Sequence, residues 1–501
     1  MSATLKLSDF GHLAPLLFIV IWSCVVLLAS AIGGNREAGS RARLGLLTAF
    51  GLVIGLAVTA SSWISHPAAV TDLFGGMMVV DRFALFLDLL FILAGLLTVL
   101  LAEGYLQEHG FTDGDFFAMV LLAIAGMMMM LHAGDFVMVM IGLETMSLAV
   151  YALVASWPGH RKSAEGGMKY FIMGAVASAL LLYGIALLYG ATGTTNLAGI
   201  ARGIGNQGGS PLVLLGMFML LGALAFKVAL VPFHMWTPDA YEGAPTPVSG
   251  FMAAAVKAAG FGILLRVVGG VFGAEQWTFG STGWINVLWT LSALTMTIGN
   301  IAALRQSNIK RMLAYSSISH AGYLLIGVIV VGLDRGQTSA VLFYLLTYAV
   351  TTLGAFAVVG WLGARDAERQ SLDDWQGLSR RHPAACLAMT IFMLSLGGLP
   401  PLAGFFGKFF LFKAALAHDQ LTTLVIIAVF NSVVSMYYYL KPIVAMYFRE
   451  RPTEAGEVSE VKPMSSFSAA AMLGLTSLLV LLLGLLPDTA LSLAAKALLG
   501  M

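Results

Sequence analysis

Ala225-Phe226-Lys227-Val228-Ala229-Leu230-Val231-Pro232-Phe233-His234-Met235-Trp236-Thr237-Pro238 is apolar enough to enter a bilayer, yet it carries a lysine and a proline five residues apart. A lysine at mid-bilayer costs roughly 2.5–3.5 kcal/mol, and a proline inside a helix costs about 3 kcal/mol more. A membrane helix that keeps both is expected to use both. The rest of the chain fixes the setting: 59% of the 501 residues are hydrophobic and 11% are charged, with a mean hydropathy of +0.88. Soluble domains carry roughly 25% charged residues, so this is a polytopic membrane protein.

The net charge of +1 offers no basic surplus for nucleic acid and no acidic tail. The two cysteines, Cys24 and Cys386, lie in apolar runs without a C-x-x-C or a histidine-rich neighbourhood, so nothing suggests a disulfide scaffold, structural zinc or an iron–sulfur cluster. No metal site is expected, and no redox centre in this chain. Residues 1–11 carry one lysine and run into an apolar stretch without a small-residue cleavage site, which reads as a first span rather than a signal peptide.

Segments of the roughly 20 apolar residues needed to cross a bilayer fall near 12–32, 43–64, 82–102, 115–133, 135–156, 166–190, 210–238, 247–272, 283–304, 311–332, 337–363, 384–417, 421–447 and 466–486. The expected fold is therefore all-α with about 14 transmembrane helices in one membrane domain over 1–501. Its expected parts are three N-terminal helices (1–114), two five-helix units (115–272 and 283–447) and a C-terminal helix (466–501). One side holds Arg36, Arg41, Arg43, Arg161, Lys162, Arg305, Lys310, Arg311, Arg365, Arg369, Arg380, Arg381, Arg449, Arg451 and Lys462; the other holds only Lys6, Arg82, Arg202, Arg335 and Lys496. The excess marks the cytoplasmic side and places both termini outside. Residues 364–382 mix charge with Leu and Trp375, which suggests a short amphipathic helix at the interface.

Pro232 interrupts the seventh span, and Leu399-Pro400-Pro401 interrupts the twelfth about 168 residues later. The same offset carries the fourth span onto the ninth, the fifth onto the tenth and the eighth onto the thirteenth. Five spans per copy is an odd number, so the copies face opposite ways: an inverted repeat with paired broken helices, the arrangement by which transporters place ion sites near the midplane.

Pro232 leaves the Val228 carbonyl without its helical donor, beside Lys227, while Pro400 and Pro401 free the carbonyls of Leu396 and Gly397, with Lys408 two turns further on. Freed carbonyls beside an amine attract water and make a proton path possible. Glu144, in Met140-Ile141-Gly142-Leu143-Glu144-Thr145-Met146-Ser147, reads as lying deep in the fifth span among apolar residues and is expected to need a cation, with Lys227 or Lys169 as its partner; a salt bridge that only fixes helix packing is the plainer alternative. Lys257 follows Met252-Ala253-Ala254-Ala255-Val256, small residues that let helices approach closely. His320, on the hydroxyl-rich run Tyr315-Ser316-Ser317-Ile318-Ser319, has an unperturbed pKa near 6.5 that suits a relay between lysines, though a buried structural histidine fits the same position. His234 shares the broken segment with Lys227 and is therefore expected to line the same cavity, as a relay or as a structural histidine. Gly203-Ile204-Gly205-Asn206-Gln207-Gly208 matches G-x-G-x-x-G formally but has no preceding strand, so it does not read as a nucleotide site. Met127–Met130 read as lipid-facing or packing surface rather than a metal site; Asp88 reads as pairing with another subunit or sitting near the interface, with no role assigned.

Three motifs together resemble a known family. Phe226-Lys227-Val228-Ala229 with Pro232-Phe233-His234-Met235-Trp236-Thr237-Pro238-Asp239-Ala240-Tyr241-Glu242-Gly243-Ala244-Pro245-Thr246-Pro247, then Lys310-Arg311-Met312-Leu313-Ala314-Tyr315-Ser316-Ser317-Ile318, then Gly397-Gly398-Leu399-Pro400-Pro401-Leu402-Ala403-Gly404-Phe405-Phe406-Gly407-Lys408, are similar to the antiporter-like proton-pumping subunits of NADH:quinone oxidoreductase, respiratory complex I. The resemblance spans roughly residues 80–450. It implies proton translocation through Glu144 paired with Lys227, Lys257 as connecting lysine, His320 as bridging relay and Lys408 as terminal site, with Lys169 matching an additional lysine. The lysine at 408, where another member has glutamate, favours one of the three related subunits. The resemblance also implies that NADH, FMN, iron–sulfur clusters and quinone belong to partner subunits, that this chain binds no cofactor itself, and that its partners are an antiporter-like neighbour, small membrane subunits and lipid, in a bacterial inner membrane. A subunit of a multi-subunit cation/proton antiporter and a purely structural assembly subunit are the competing expectations.

Overall fold

The computed structural model describes residues 7–33, 38–66, 70–110, 115–205, 210–280, 283–363, 368–450 and 463–497. Fourteen apolar helices match the fourteen expected spans: α1 Ala14–Gly33, α2 Ala38–Ser65, α3 Arg82–Glu108, α4 Asp115–Leu131, α5 Phe136–Val154, α6 Arg161–Thr192, α7 Pro211–Lys227, α8 Thr246–Val271, α9 Trp284–Leu304, α10 Ile309–Leu333, α11 Thr338–Trp361, α12 Pro383–Gly397, α13 Thr422–Phe448 and α14 Phe467–Leu485. Eleven are long enough to cross a membrane by themselves, and the three shorter ones are α4, α7 and α12. The last two owe their shortness to the breaks.

After α7 the chain leaves helical geometry at Val228 and resumes at Trp236–Gly243; after α12 it leaves at Gly398 and resumes at Ala403–Ala415. The two breaks differ in length but share their opening geometry. Ala229 and Gly398 take left-handed φ values of 61° and 90°, and three residues after each comes a proline, Pro232 and Pro401, in cis. Ala229 holds a conformation that costs a residue with a Cβ about 1–2 kcal/mol, and neighbouring helices hold it there: the Val231 N–H donates to Thr295 Oγ1 of α9 at 3.0 Å, and Trp236 Nε1 reaches back to the Phe226 carbonyl at 3.2 Å. At the second break the Gly404 N–H donates to Ser395 Oγ at 3.1 Å.

Lipid removes the hydrophobic drive between helices, so close approach relies on small residues. A Cβ on Gly126 of α4 would lie 2.3 Å from the Met146 nitrogen of α5, and one on Gly142 would lie 2.5 Å from the Met130 nitrogen of α4. The corresponding pair in the second half, α9 and α10, crosses at Gly299 and Gly322, which abut Ser319 and Met296. Helices α3, α8, α10 and α11 form the interior, and α8 is buried throughout its apolar window. It is also irregular: π turns at Met252–Val256 and Val267–Val271 flank a central α segment, Lys257–Arg266. Such turns concentrate at functional sites.

One local expectation needs correction. Residues 364–367 lie outside the described residues, and 368–382 form two 3₁₀ turns, Leu372–Trp375 and Leu378–Arg380, rather than an amphipathic α-helix. A capping box at Ser371 and Asp374 starts the first turn, and Gly377 at φ 69° separates it from the second. A two-stranded antiparallel hairpin, Thr71–Leu73 with Met78–Val80, sits in the connection between α2 and α3. Residues 206–208 of the glycine motif, Lys6, Arg36, Arg365, Arg451, Lys462 and the two chain ends also lie outside the described residues; residues 203–205 close a short helix, Leu197–Ile204.

Candidate functional site

Each broken helix presents its lysine differently. Lys408, one turn and a half into the resumed helix, curls back so that Nζ donates to the Leu396 and Gly397 carbonyls, both at 3.1 Å, and to Ser432 Oγ of α13 at 2.9 Å. These are the two carbonyls that Pro400 and Pro401 strip of their helical donors. Lys227 is the last residue of α7, and its side chain points away from its own break: Nζ donates to Ser147 Oγ of α5 at 2.8 Å and to the Tyr170 hydroxyl of α6 at 3.4 Å, with the Tyr151 and Tyr170 rings 5.9 and 5.6 Å away. Lys257 Nζ donates to the Ser317 carbonyl of α10 at 2.5 Å and to the Ser317 hydroxyl. All three lysines are at least 95% buried.

The expected Glu144–Lys227 ion pair is not a direct contact. Among the described residues, no carboxylate oxygen lies within 4.0 Å of Lys227, Lys257 or Lys408. Glu144 is half-buried, because α5 and α6 form an edge of the chain on which Ile141 and Leu148 are exposed, and its carboxylate accepts from Ser178 of α6. Beside Lys227 lies a cavity of about 10 Å³ also lined by Ser147, Tyr151 and Ser178, the last being the residue that bonds Glu144; it has room for roughly one water. Glu144 bonds Ser178 and Lys227 bonds Ser147, and both serines line this cavity.

Lys169 stands apart from this interior. It is exposed and bonds Glu165 and Asp239, each at 2.7 Å. His234 is half-buried in the first break and does not line the Lys227 cavity.

His320 joins the remaining lysines. Its ring contacts the Tyr344 hydroxyl at 2.8 Å and the Tyr439 hydroxyl at 3.1 Å, and Tyr439 also bonds Ser316 Oγ at 2.5 Å. Tyr348 lies between Lys257 and His320, 5.9 Å from the former's ammonium and 4.7 Å from the latter's ring. Tyr323 lies between His320 and Lys408 at 5.7 and 5.1 Å. A second cavity of about 10 Å³ is lined by His320, Tyr344, Ser395 and Leu396, the last a residue whose carbonyl Lys408 bonds. The tyrosines were not legible beforehand. The serines left a faint signal: Ser147 follows Glu144 by three residues and Ser317 precedes His320 by three, the spacing of one helix face.

The arginine-rich face holds a charge network that the sequence showed only as an orientation signal. Arg311 Nη1 bonds Asp239 and Glu242, both at 2.7 Å, and Lys162 bonds Glu242 at 2.6 Å. Beneath them Lys310 pairs with Glu368 at 2.8 Å, and Glu368 also accepts from the Tyr105 hydroxyl at 2.5 Å, from the Thr246 N–H at 3.2 Å and from the Thr246 hydroxyl. Burial pushes the Glu368 carboxyl up, but the Lys310 charge and these bonds hold it below the usual range. Asp239 and Glu242 are likewise held low against burial, by Lys169 and Arg311 and by Lys162 and Arg311 respectively. Among the described residues no three His, Cys, Asp or Glu side chains come together to hold a metal ion.

A membrane domain with two broken helices, each with a buried lysine, matches the family model "NADH:quinone oxidoreductase/Mrp antiporter, TM" over residues 133–435. The chain is 43% identical over 508 aligned residues to NADH-quinone oxidoreductase subunit N 1 of Sorangium cellulosum, covering 99% of both chains. The chain belongs to the subunit N family of NADH-quinone oxidoreductases. The subunit N of Trichlorobacter lovleyi is 40% identical, covering 98% of this chain and 97% of that one. Among solved structures, a chain of respiratory complex I from Thermus thermophilus with bound aureothin is 35% identical, with a TM-score of 0.78 and coverage of 96% and 99%. The subunit N family thus accounts for the whole described fold, from α1 to α14.

Proposed function

We propose that this chain translocates protons in the membrane arm of an NADH:quinone oxidoreductase, as a subunit of a translocase whose electron-transfer chemistry is done by partner chains. One observation carries the reading: Lys227, Lys257 and Lys408 are buried, lack a carboxylate contact among the described residues, and are each held by a serine hydroxyl, Ser147, Ser317 and Ser432. A buried ammonium without a counter-charge is expensive. Its proton therefore responds to any change of charge nearby. Glu144, whose partner Ser178 lines the water-sized cavity beside Lys227, would deliver such a change. Protons would pass from Lys227 to Lys257, where Gly260 brings α8 against Lys227 and Val228, and then through His320 and its tyrosines to Lys408. Pro232, Pro400 and Pro401 serve by opening the two helices. The repeat boundaries 115–272 and 283–447 fit this division, with one lysine-bearing break in each.

The Lys310–Glu368 network on the arginine-rich face fits a proton entrance on the cytoplasmic side of a bacterial inner membrane, with both termini on the other side. NADH, FMN, iron–sulfur clusters and quinone would belong to partner subunits, and the neighbours would be another antiporter-like subunit and small membrane subunits. Lys227→Ala or Glu144→Ala in the assembled complex should lower the number of protons moved per electron; a variant that assembles and keeps the full ratio overturns the reading. The matching family model also names Mrp antiporters, and a cation/proton antiporter subunit is the second reading. Purification without flavin-containing partners would favour it.

A further inference from the structure

Asp88, fully buried in α3, bonds His132 at the end of α4: Oδ2 and Nε2 lie 2.8 Å apart. On the other side of the ring, Nδ1 lies 2.9 Å from the Val79 carbonyl. A carbonyl only accepts, so Nδ1 carries a hydrogen. The Nε2–Oδ2 contact then holds one proton, as imidazolium with carboxylate or as imidazole with carboxylic acid. Among the described residues, Asp88 Oδ1 has no hydrogen-bond partner.

The charged groups that act on this pair are Asp81 and Arg266. Asp81 caps α3 through the Ala84 N–H at 2.8 Å and accepts from Arg266 Nη2 of α8 at 3.0 Å, and its second oxygen also has no partner among the described residues. Arg266 and Val79 reach the wall of a cavity of about 690 Å³, which Asp72, Gly76, Gly134, Asn196 and Arg202 also line. These residues belong to the connections before α3, α5 and α7 and to the end of α8, so the cavity lies on the arginine-poor face, away from the Lys310–Glu368 network. A pair that only knitted helices would have its carboxylate oxygens satisfied. Here Asp88 Oδ1 is left over, and so is Asp81 Oδ2 beside it; the pair and Asp81 meet the cavity wall through Val79 and Arg266.

We propose that Asp88 and His132 form a separate proton-loading site that exchanges protons with the water of this cavity on the arginine-poor face. The step balances simply. A hydronium in the cavity gives one proton to the free Oδ1 of Asp88, leaving the Nε2–H–Oδ2 proton in place, and Asp81 offsets the added positive charge; release runs in reverse.

The inference rests on the proton-translocating function proposed above, and the tests separate the two. In the assembled complex in proteoliposomes, Asp88→Asn, which keeps the side-chain shape, should lower the proton-to-electron ratio and abolish its dependence on the pH of the arginine-poor face, and His132→Gln should do the same. Infrared difference spectra of the native complex should show a carboxylic-acid band that titrates with the pH of that face and is missing in Asp88→Asn. A native ratio and pH dependence in both variants, or the absence of a titrating band from the native complex, overturns the site. If Lys227→Ala lowers the ratio while Asp88→Asn leaves it unchanged, only the Asp88 site fails; if neither lowers it, the translocation reading fails with it.

Discussion

The Lys408 ammonium donates to the Gly397 carbonyl at 3.1 Å, closing a loop over the second broken helix. The lysine thereby replaces helical N–H donors that two prolines cannot supply. Lys408→Met should leave the Leu396 and Gly397 carbonyls and the Ser432 hydroxyl short of a donor, at roughly 1–3 kcal/mol for each group left unsatisfied. The thermal midpoint of the purified complex should drop, and the proton-to-electron ratio with it. A Lys408→Met complex with native values of both would show that the carbonyls find other partners.

Ser147 is the group through which α5 reaches Lys227 by a direct hydrogen bond. Ser147→Ala removes that bond and leaves the more distant Tyr170 hydroxyl at 3.4 Å. Losing one buried hydrogen bond costs about 1 kcal/mol, a roughly fivefold effect on any equilibrium it biases. Proton uptake by proteoliposomes per NADH oxidised should fall while assembly is preserved; Ser147→Thr, which keeps the hydroxyl, should restore it.

Glu368 neutralises Lys310, whose side chain has no solvent exposure. Removing one partner of a buried pair typically costs about 3–5 kcal/mol, so Glu368→Gln should reduce the yield of assembled complex sharply. The sign of the pH dependence follows from the direction of the shift: Glu368, Asp239 and Glu242 are all held below their ordinary carboxylate values. The stability they supply is complete above the ordinary values of 4.5 for Glu and 3.8 for Asp, and is lost as the pH falls below them. Thermal midpoints measured from neutral to acid pH should decline below that range, and more shallowly in Glu368→Gln.

Gly142 and Gly126 set the distance between α4 and α5, backbone against backbone. Gly142→Ala forces a Cβ to within 2.5 Å of the Met130 nitrogen, an overpacking that costs about 1–3 kcal/mol. Because Glu144 is two residues away, the displacement should also disturb its bond with Ser178. Gly474→Ala, where the added Cβ meets nothing within 4 Å, should leave both stability and proton movement unchanged, and an equal loss in the two variants would argue against a packing cause.

Much of the fold was legible because proline chemistry is local. The positions of Pro232, Pro400 and Pro401 gave the breaks, and they gave the carbonyls that Lys408 uses. The same rule failed for Lys227. It precedes its break, so its side chain leaves toward α5 and never meets the carbonyl that Pro232 frees. Glu144 looked deep because its sequence neighbours are apolar, but whether an apolar helix faces the interior or lipid depends on which helices flank it, and α5 lies at an edge. The tyrosines around His320 come from α10, α11 and α13, and no sequence spacing links those helices. Arg311 and Lys310 were read as markers of orientation; nothing nearby in sequence revealed Glu368, which lies 58 residues beyond Lys310. Asp88 was left without a role for the same reason, since its partner His132 is 44 residues away.

The two π turns of α8 act as phase shifters. An α-helix advances about 100° per residue, and each π turn holds one residue more than its neighbours expect. The ten residues from Lys257 to Arg266 are thus clocked independently of the helix on either side. That setting lets Lys257 face Ser317 of α10 while Arg266 faces Asp81 of α3. A π turn spreads its five residues, Met252–Val256, over about the rotation that four α-helical residues make. Winding those five into regular α geometry would swing the parts of the helix on its two sides by about 100° relative to each other, so the single extra residue holds the azimuth of the central lysine.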